Sequence, residues 1–61
     1  MKVKDLLKTV ENGSVHIILV DYDTGEIILK TIWQNDIPQE ELSKEILRSK
    51  ITDYTMTLEV R

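Results

Sequence analysis

The sequence contains no cysteine and no phenylalanine, and it has one histidine, one proline and two glycines. Without cysteine the chain can form neither a disulfide nor a CxxC-type zinc site, and a single histidine cannot provide a histidine-rich metal site. No apolar run reaches the roughly 18 residues that a membrane span requires. The lysine-containing N-terminus also lacks the continuous apolar segment of a secretory signal. These absences predict a cytosolic protein without a metal or a cofactor.

The short length of the chain limits the size of its core. A domain of about 60 residues buries only about 60% of the surface that its unfolded chain exposes. Ordering costs roughly 1.5 kcal/mol per residue, so the free energy of folding is close to zero unless something else stabilises the fold. Because no disulfide is available, self-association is the obvious remaining support. We therefore expect one domain, residues 1–61, that forms a homo-oligomer.

The formal net charge is −3, from 8 Lys and Arg against 11 Asp and Glu. General nucleic-acid binders normally carry a basic surplus, so this balance argues against that class. The charge is uneven, because residues 1–10 hold three lysines against one aspartate while residues 21–45 hold seven acids against two lysines. Such a split can steer the approach of a partner, although ordinary solvated charge is its simpler explanation.

Residues 15–33 form the most clearly patterned part of the chain. Two β-branched and apolar runs, Val15–Tyr22 and Glu26–Trp33, flank a short Asp-Thr-Gly segment. Gly25 can adopt the positive φ that closes a short hairpin loop. The first run is apolar on both of its alternating faces, which is typical of a strand that is central or covered on both sides. The sequence therefore predicts a β-hairpin at the centre of the fold.

The register of this hairpin decides which side chains share a face. If Tyr22 faces Glu26 across the turn, Leu19 lies beside Leu29, and the pairing continues outward in the same register. That register also places Ile17 beside Thr31 and Val15 beside Trp33. A slip of one residue would exchange the two faces.

The N-terminal segment has the spacing of an amphipathic helix. Apolar residues recur at i, i+3, i+4 and i+7, which is one stripe of an α-helix. Asn12 and Gly13 supply a stop, so we expect a helix over about Lys2–Glu11. A helix of this length is not stable alone in water, so its stripe must pack on the sheet. The stripe consists of Val3, Leu6, Leu7 and Val10.

The segment after the hairpin begins with signals for a second helix. Asn35 or Asp36 can accept hydrogen bonds from free amides, and Pro38 is tolerated in a first turn. One interpretation continues this helix to about Ser49 and makes residues 52–61 the third strand. The other ends the helix after about one turn and makes residues 45–51 a strand, followed by a turn and a strand at 56–61. We favour the second interpretation.

The combined pattern predicts an α+β fold. An N-terminal helix packs on one face of a three- or four-stranded antiparallel sheet, with a second short helix after the central hairpin. The expected core consists of Val3, Leu6, Leu7, Val10, Val15, Ile17, Leu19, Leu29, Met56, Leu58 and Val60. One helix covers only one face, so a second apolar row is left for another subunit or for the folded-back second helix. We expect an interface formed by Ile18, Val20, Tyr22, Ile28 and Ile32, with Trp33 as a further candidate.

Few side chains indicate chemistry. His16 lacks any visible nucleophile or ligand set, so a histidine on a partly covered sheet face is the simpler interpretation. Asp21, Asp23 and Gly25 resemble the start of a calcium loop, but the ligand series stops there and turn chemistry explains them without a metal. No glycine-rich phosphate loop is present. An enzyme is therefore the least favoured class.

The remaining candidates are one aromatic and three cations. Trp33 ends the second strand, where it can either anchor an interface or pack on the core, and the small size of the domain favours the core. Lys30 between two isoleucines is typical of an edge strand protected from aggregation. Lys30 can instead meet an anionic ligand, and Arg48 and Lys50 are the other candidates for that role.

Several stretches together resemble a group of small, uncharacterised accessory proteins from phages and mobile elements in Firmicutes. These stretches are the opening Met1–Leu7, the Asp-x-x-Thr-Gly turn Asp21–Gly25, the Asp-Ile-Pro-x-Glu-x-Leu stretch Asp36–Leu42, and the alternating last strand. The resemblance covers most of the chain. It implies an accessory role in overcoming host defence, by binding a host protein or a nucleotide signal, and it brings no active site with it.

These observations lead to two functional hypotheses. The first is a non-enzymatic phage or prophage interaction module in the host cytoplasm, homo-oligomeric and able to bind a host protein. The alternative is a sponge that binds an anionic nucleotide signal at a subunit junction, through Lys30, Arg48 or Lys50 and an aromatic side chain.

Overall fold

The computed structural model describes all 61 residues of the chain, from Met1 to Arg61. The fold is α+β, as the sequence predicted, with two short helices, one turn of 3-10 helix and four strands. In chain order these are α1 (Val3–Leu7), β1 (His16–Asp21), β2 (Ile27–Thr31), the 3-10 turn (Gln34–Asp36), α2 (Gln39–Leu42), β3 (Ile46–Ile51) and β4 (Thr55–Val60).

The four strands form one sheet in the order β2-β1-β4-β3. Both hairpins are antiparallel, but β1 and β4 run parallel, so the sheet is mixed rather than entirely antiparallel as expected. The burial of the two C-terminal strands accounts for this arrangement. Strand β4 buries every second residue, whereas β3 is exposed along most of its length. The more apolar strand takes the central position beside β1, and its direction there is parallel to β1.

The predicted register of the central hairpin is confirmed in its middle. Leu19 pairs with Leu29, and Ile17 pairs with Thr31. Nearer the turn the register shifts, because Val20 pairs with Ile27 and leaves Ile28 as an extra residue in β2. This β-bulge reverses the side-chain alternation from there to the turn, so that end of β2 departs from the predicted faces.

The second interpretation of the C-terminal half is confirmed. Helix α2 is only four residues long and ends at Leu42, and strand β3 begins at Ile46. The turn between β3 and β4 is closed by a hydrogen bond from the amide of Thr52 to the carbonyl of Thr55, with an N···O distance of 2.8 Å. A second register shift lies between Ile46 and Arg48.

Helix α1 is shorter than predicted. Its first turn is closed by the carboxylate of Asp5, which accepts from the amide of Lys2 at 3.2 Å. The helix ends at Leu7 because the next amides bond to the carbonyls three residues before them, and the Thr9 hydroxyl also donates to the Leu6 carbonyl at 2.7 Å. A threonine that bonds locally to the backbone competes with helix continuation. The predicted apolar stripe nevertheless packs on the sheet.

The core lies between the helices and one face of the sheet. Side chains paired across the strands point to the same face, so the register places the buried residues of β1 and β4 together. Residues from α1 and from the segment before α2 complete this cluster, and Ile37 is the member that the sequence did not predict. Its eight members are Val3, Leu7, Ile17, Leu19, Ile37, Met56, Leu58 and Val60. Both helical segments therefore cover the same face, and the opposite face has no cover.

Candidate binding face

The uncovered side of the sheet is the surface on which the predicted ligand-binding residues lie. The strand register places alternate residues of all four strands on it. We call this surface the open face, and it consists of His16, Ile18, Val20, Ile27, Lys30, Arg48, Lys50, Thr55, Thr57 and Glu59. Two of its apolar members, Ile18 and Val20, belong to the predicted interface and are half-buried by their neighbours in the sheet.

A shallow groove of about 470 Å³ crosses the part of the open face formed by β1, β4 and β3. Five of its lining residues are polar or charged, and one is aliphatic. The lining residues are Val20, Arg48, Ser49, Lys50, Thr57 and Glu59. The structure thus brings two of the three predicted cations together at one concave site.

The third predicted cation lies apart from this groove. Lys30 is on β2, which forms the opposite edge of the sheet from β3. Neighbouring strands lie about 4.8 Å apart, so three strand spacings separate Lys30 from Arg48 and Lys50 by roughly 14 Å. A small ligand in the groove would therefore contact Arg48 and Lys50 without reaching Lys30.

The open face is positively charged although the whole chain is acidic. It carries Lys30, Arg48 and Lys50 against a single acid, Glu59, so its net charge is +2 when His16 is neutral. Arg48 donates from Nε to the Glu59 carboxylate, and the Arg48 side chain stays 70% exposed. The ammonium groups of Lys30 and Lys50 make no ion pair. Lys50 is therefore the free positive charge at the groove.

The bulge in β2 changes which isoleucine lies on the open face. Ile28 was expected in the outward apolar row, but it packs against the core cluster. Ile27 instead pairs with Val20 and is 55% exposed. The extra residue shifts the alternation by one position, which moves one isoleucine inward and its neighbour outward. Ile32, which follows β2, is half-buried.

The aromatic candidates lie away from the groove. Tyr22 follows β1 and is 41% exposed, and the Arg61 guanidinium lies 5.4 Å from the centre of its ring. Trp33 is 52% exposed, and its ring covers the backbone of Gly13 so closely that a Cβ at this glycine would lie 2.5 Å from Cζ3 of the indole. Trp33 thus packs on the loop after α1 rather than in the core. Tyr54, in the turn between β3 and β4, is exposed.

The aspartates around the central turn act as turn residues. The Asp21 carboxylate accepts from the amides of Asp23 and Thr24, at 2.8 and 3.2 Å. Asp23 is bound by Arg61, whose Nη2 lies 2.6 Å from Oδ1. The hydrogen bond from Arg61 holds the pKa of Asp23 below its usual value. No group of three or more His, Cys, Asp or Glu side chains lies close enough together to hold a metal ion.

One buried acid was not singled out in the sequence. Glu41 on α2 is only 8% exposed, and its Oε2 lies 2.8 Å from the Lys44 ammonium. No hydrogen bond of good geometry reaches this oxygen. The positive charge of Lys44 therefore offsets the cost of burying the carboxylate. The adjacent Glu41 carboxylate in turn raises the pKa of Lys44. Glu41 lies on the helical side of the sheet, and its i, i+3 spacing from Lys44 was the available signal.

Thr57, Glu59 and Ser49 are the groove residues that the sequence analysis did not select. All three lie on strands that were predicted, but only the pairing of β4 with both β1 and β3 brings them to one site. His16, also on the open face, is exposed, and its side chain makes no hydrogen bond.

Comparison with known proteins identified no relative of this chain: no family model, no curated protein and no solved structure matched it. Neither helix has the length and apolar character needed to cross a membrane.

Proposed function

We propose that this chain is a non-enzymatic interaction module that binds a partner protein through its open face. The observation that carries the proposal is that both helices pack on one side of the sheet, so the other side of all four strands is left for a partner. A sheet face of this kind offers a broad, rigid and preformed surface, which keeps the entropic cost of binding low.

The composition of the open face fits a protein–protein interface. Ile18, Val20 and Ile27 form an apolar strip on β1 and β2, and polar or charged side chains surround it. Interfaces commonly have an apolar centre and a polar rim. The net positive charge on this face favours a partner with an acidic surface and would accelerate its approach.

The resemblance to phage and mobile-element accessory proteins supplies the biological setting of the proposal. In that setting the partner is a host protein, and the chain acts in the cytoplasm of the host cell. A small preformed binding surface suits a protein that acts by occupying a host target.

Self-association stays a prediction from the small size of the core. Two open faces brought together would oppose like charges, since each carries a net charge of +2. Like-charge juxtaposition across an interface costs several kcal/mol. We therefore propose that the open face binds a different protein and that any homo-oligomer uses another surface.

The proposal can be tested by comparing the proteins that variants of the chain capture from a Firmicutes lysate. The test variant is Arg48→Glu with Lys50→Glu, which reverses the charge of the groove. The matched control is Lys4→Glu with Lys8→Glu, which makes the same change in net charge on α1 and the residues after it. We expect the wild type and the control to retain the same host protein and the groove variant to lose it. Equal capture by all three, or no specific capture, would contradict the proposal.

A second candidate function is the binding of a small anionic ligand in the groove. Its volume of about 470 Å³ is in the range of small-molecule sites, and Arg48 and Lys50 both line it. No aromatic residue lines the groove, so a nucleotide there would need a second subunit to stack on its base. Thermal-shift measurements with cyclic nucleotides test this function, because a ligand that binds only the folded state raises the melting temperature. An unchanged melting temperature would exclude the tested nucleotides.

A further inference from the structure

Strand β3 is an edge strand whose outer side is covered at only one end. The N-terminal residues run beside its start, where the Ile46 amide donates to the Met1 carbonyl at 2.8 Å and the Val3 amide donates to the Lys44 carbonyl at 3.0 Å. Nothing lies beside the other half of the strand, and residues 47–51 are all exposed.

The uncovered half of β3 presents backbone groups in the pattern of an unpaired strand. In an antiparallel ladder, hydrogen-bonded and non-hydrogen-bonded pairs alternate. Thr52 and Thr55 form a hydrogen-bonded pair, so Ser49 and Ile51, opposite Leu58 and Met56, occupy non-hydrogen-bonded positions. Their amides and carbonyls therefore point away from β4 and toward the position that a further strand would occupy.

Charged side chains stand beside these free backbone groups. Arg48 and Lys50 alternate with Ser49 and Ile51 and point to the open face. An extended peptide beside β3 would place every second side chain next to these two cations. Its intervening side chains would lie next to Ile51, which is 59% exposed on the helical side of the sheet.

A second copy of β3 does not fit this edge. Antiparallel self-pairing through Ser49 and Ile51 would set Lys50 of one chain directly opposite Lys50 of the other. Pairing with β2 of another copy would bring Lys30 to the same row of cations. Like charges directly opposite each other destabilise strand pairing, and lysine on an edge strand is a common defence against such self-assembly. The charge of this edge therefore disfavours pairing with a strand from another copy of the chain and favours pairing with a negatively charged strand.

We propose that the open edge of β3 binds an extended acidic segment of a partner protein by β-strand addition, with acidic and apolar residues alternating along that segment. The partner backbone pairs with Ser49 and Ile51, its acidic side chains meet Lys50 and Arg48, and its apolar side chains pack beside Ile51. Main-chain bonds at a sheet edge provide affinity and alternate side chains provide specificity in this mode of recognition. Lys50 is the stronger anchor, because Arg48 is already paired with Glu59. This inference rests on the proposed function and names the chemistry of the partner.

A terminally blocked peptide of alternating glutamate and valine, long enough to span β3, is the probe for this site. We expect amide chemical shifts to change along β3 and hydrogen exchange at the Ser49 and Ile51 amides to slow when the peptide binds. Lys50→Glu should weaken binding by about tenfold or more, because it replaces an attraction by a repulsion. Lys30→Glu is the matched control, since it makes the same charge change on the other edge of the sheet, and it should bind almost as well as the wild type.

Two further probes separate strand addition from simple charge attraction. Ser49→Pro removes an outward amide without removing a bond to β4, and proline is tolerated at such edge positions. This variant should abolish the slowing of hydrogen exchange at the Ile51 amide that the peptide causes. The same peptide N-methylated at alternate amides makes the equivalent test without changing the protein. Binding that survives both changes would overturn the inference. The inference would also fall if inorganic phosphate or a lysine–valine peptide changed the amide shifts and hydrogen exchange of β3 as much as the acidic peptide does. If the groove variant loses its lysate partner while the acidic peptide fails to bind, the proposed function stands and the edge inference falls.

Discussion

At the residue scale, the two glycines differ in a way that their sequence contexts do not show. Both have positive φ, +84° at Gly13 and +77° at Gly25. A Cβ at Gly25 would meet open space, whereas a Cβ at Gly13 would overlap the indole of Trp33. Gly25 is thus required by its backbone alone, and Gly13 by its backbone and by the packing of the tryptophan.

This difference predicts unequal effects of alanine at the two positions. Gly25→Ala should lower the free energy of unfolding by about 1–2 kcal/mol, the cost of a left-handed conformation with a side chain. Gly13→Ala should cost a further 1–3 kcal/mol or so, because the new methyl group also displaces Trp33. Urea denaturation followed by tryptophan fluorescence measures both. Equal losses at the two positions would show that Trp33 does not pack on Gly13 in solution.

The Asp23–Arg61 pair predicts a specific dependence of stability on pH. Arg61 lowers the pKa of Asp23 in the folded state, so the pair stabilises the fold above the unfolded pKa of about 3.9 and loses this effect as pH falls through the folded value. Asp23→Asn should therefore be less stable than the wild type near neutral pH and equal to it in strong acid. Arg61→Met should show the same convergence.

Chemical denaturation at a series of pH values measures this effect. Both side chains are more than half exposed, so the difference should be small and should shrink with added salt. If the difference in free energy of unfolding between Asp23→Asn and the wild type stayed constant with pH, the ion pair would be excluded as its cause.

At the element scale, the loop after α1 is held by a side chain from the other half of the chain. Gln34 Nε2 donates to the carbonyls of Leu7 and Val10, at 3.2 and 3.0 Å, and its backbone amide donates to Asn12 Oδ1 at 2.8 Å. These bonds satisfy carbonyls that a longer helix would have satisfied internally. They explain why a periodicity that predicted three turns of helix yields a much shorter one.

Gln34→Ala should therefore destabilise the fold by about 1–3 kcal/mol, since it removes two partly buried hydrogen bonds of roughly 0.5–1.5 kcal/mol each. Gln39→Ala is the control, because the exposed side chain of Gln39 makes no hydrogen bond, and it should change stability by less than about 0.5 kcal/mol. Hydrogen exchange should also accelerate at the amides of α1 in Gln34→Ala alone. Equal stability of the two variants would mean that Gln34 does not cap this segment.

At the scale of the whole molecule, the chain is as compact as a monomeric protein of its mass. Its accessible surface is 4110 Å², and monomers of 7.1 kDa average roughly 4,100 Å². The radius of gyration of 10.2 Å is also close to the roughly 10.5 Å expected for this length. The small core that predicted an oligomer thus belongs to a chain that exposes no more surface than usual.

The charge of the open face leads to a prediction about self-association. Because two such faces repel each other, Ile18→Lys should leave the sedimentation mass at micromolar concentration the same as that of the wild type. An oligomer that dissociates in this variant would show that copies do meet through the open face, as the apolar rows in the sequence suggested. Val15→Lys, at a residue packed against the core, is a control for loss of folding rather than loss of contact.

The sequence by itself determined the two strands of the central hairpin, the place of its turn and the last strand, whereas it left residues 45–51 open between helix and strand. Alternation placed Met56, Leu58 and Val60 in the core, and Gly25 placed the turn, because these are local consequences of side-chain period and backbone freedom. Only the tertiary structure decided that β4 lies beside β1, that a bulge exchanges Ile27 for Ile28, and that Arg48 and Lys50 meet Thr57 in one groove. Those features depend on which strand buries more apolar surface when all the segments pack together. A local sequence pattern cannot give this result, because it depends on residues far apart in the chain.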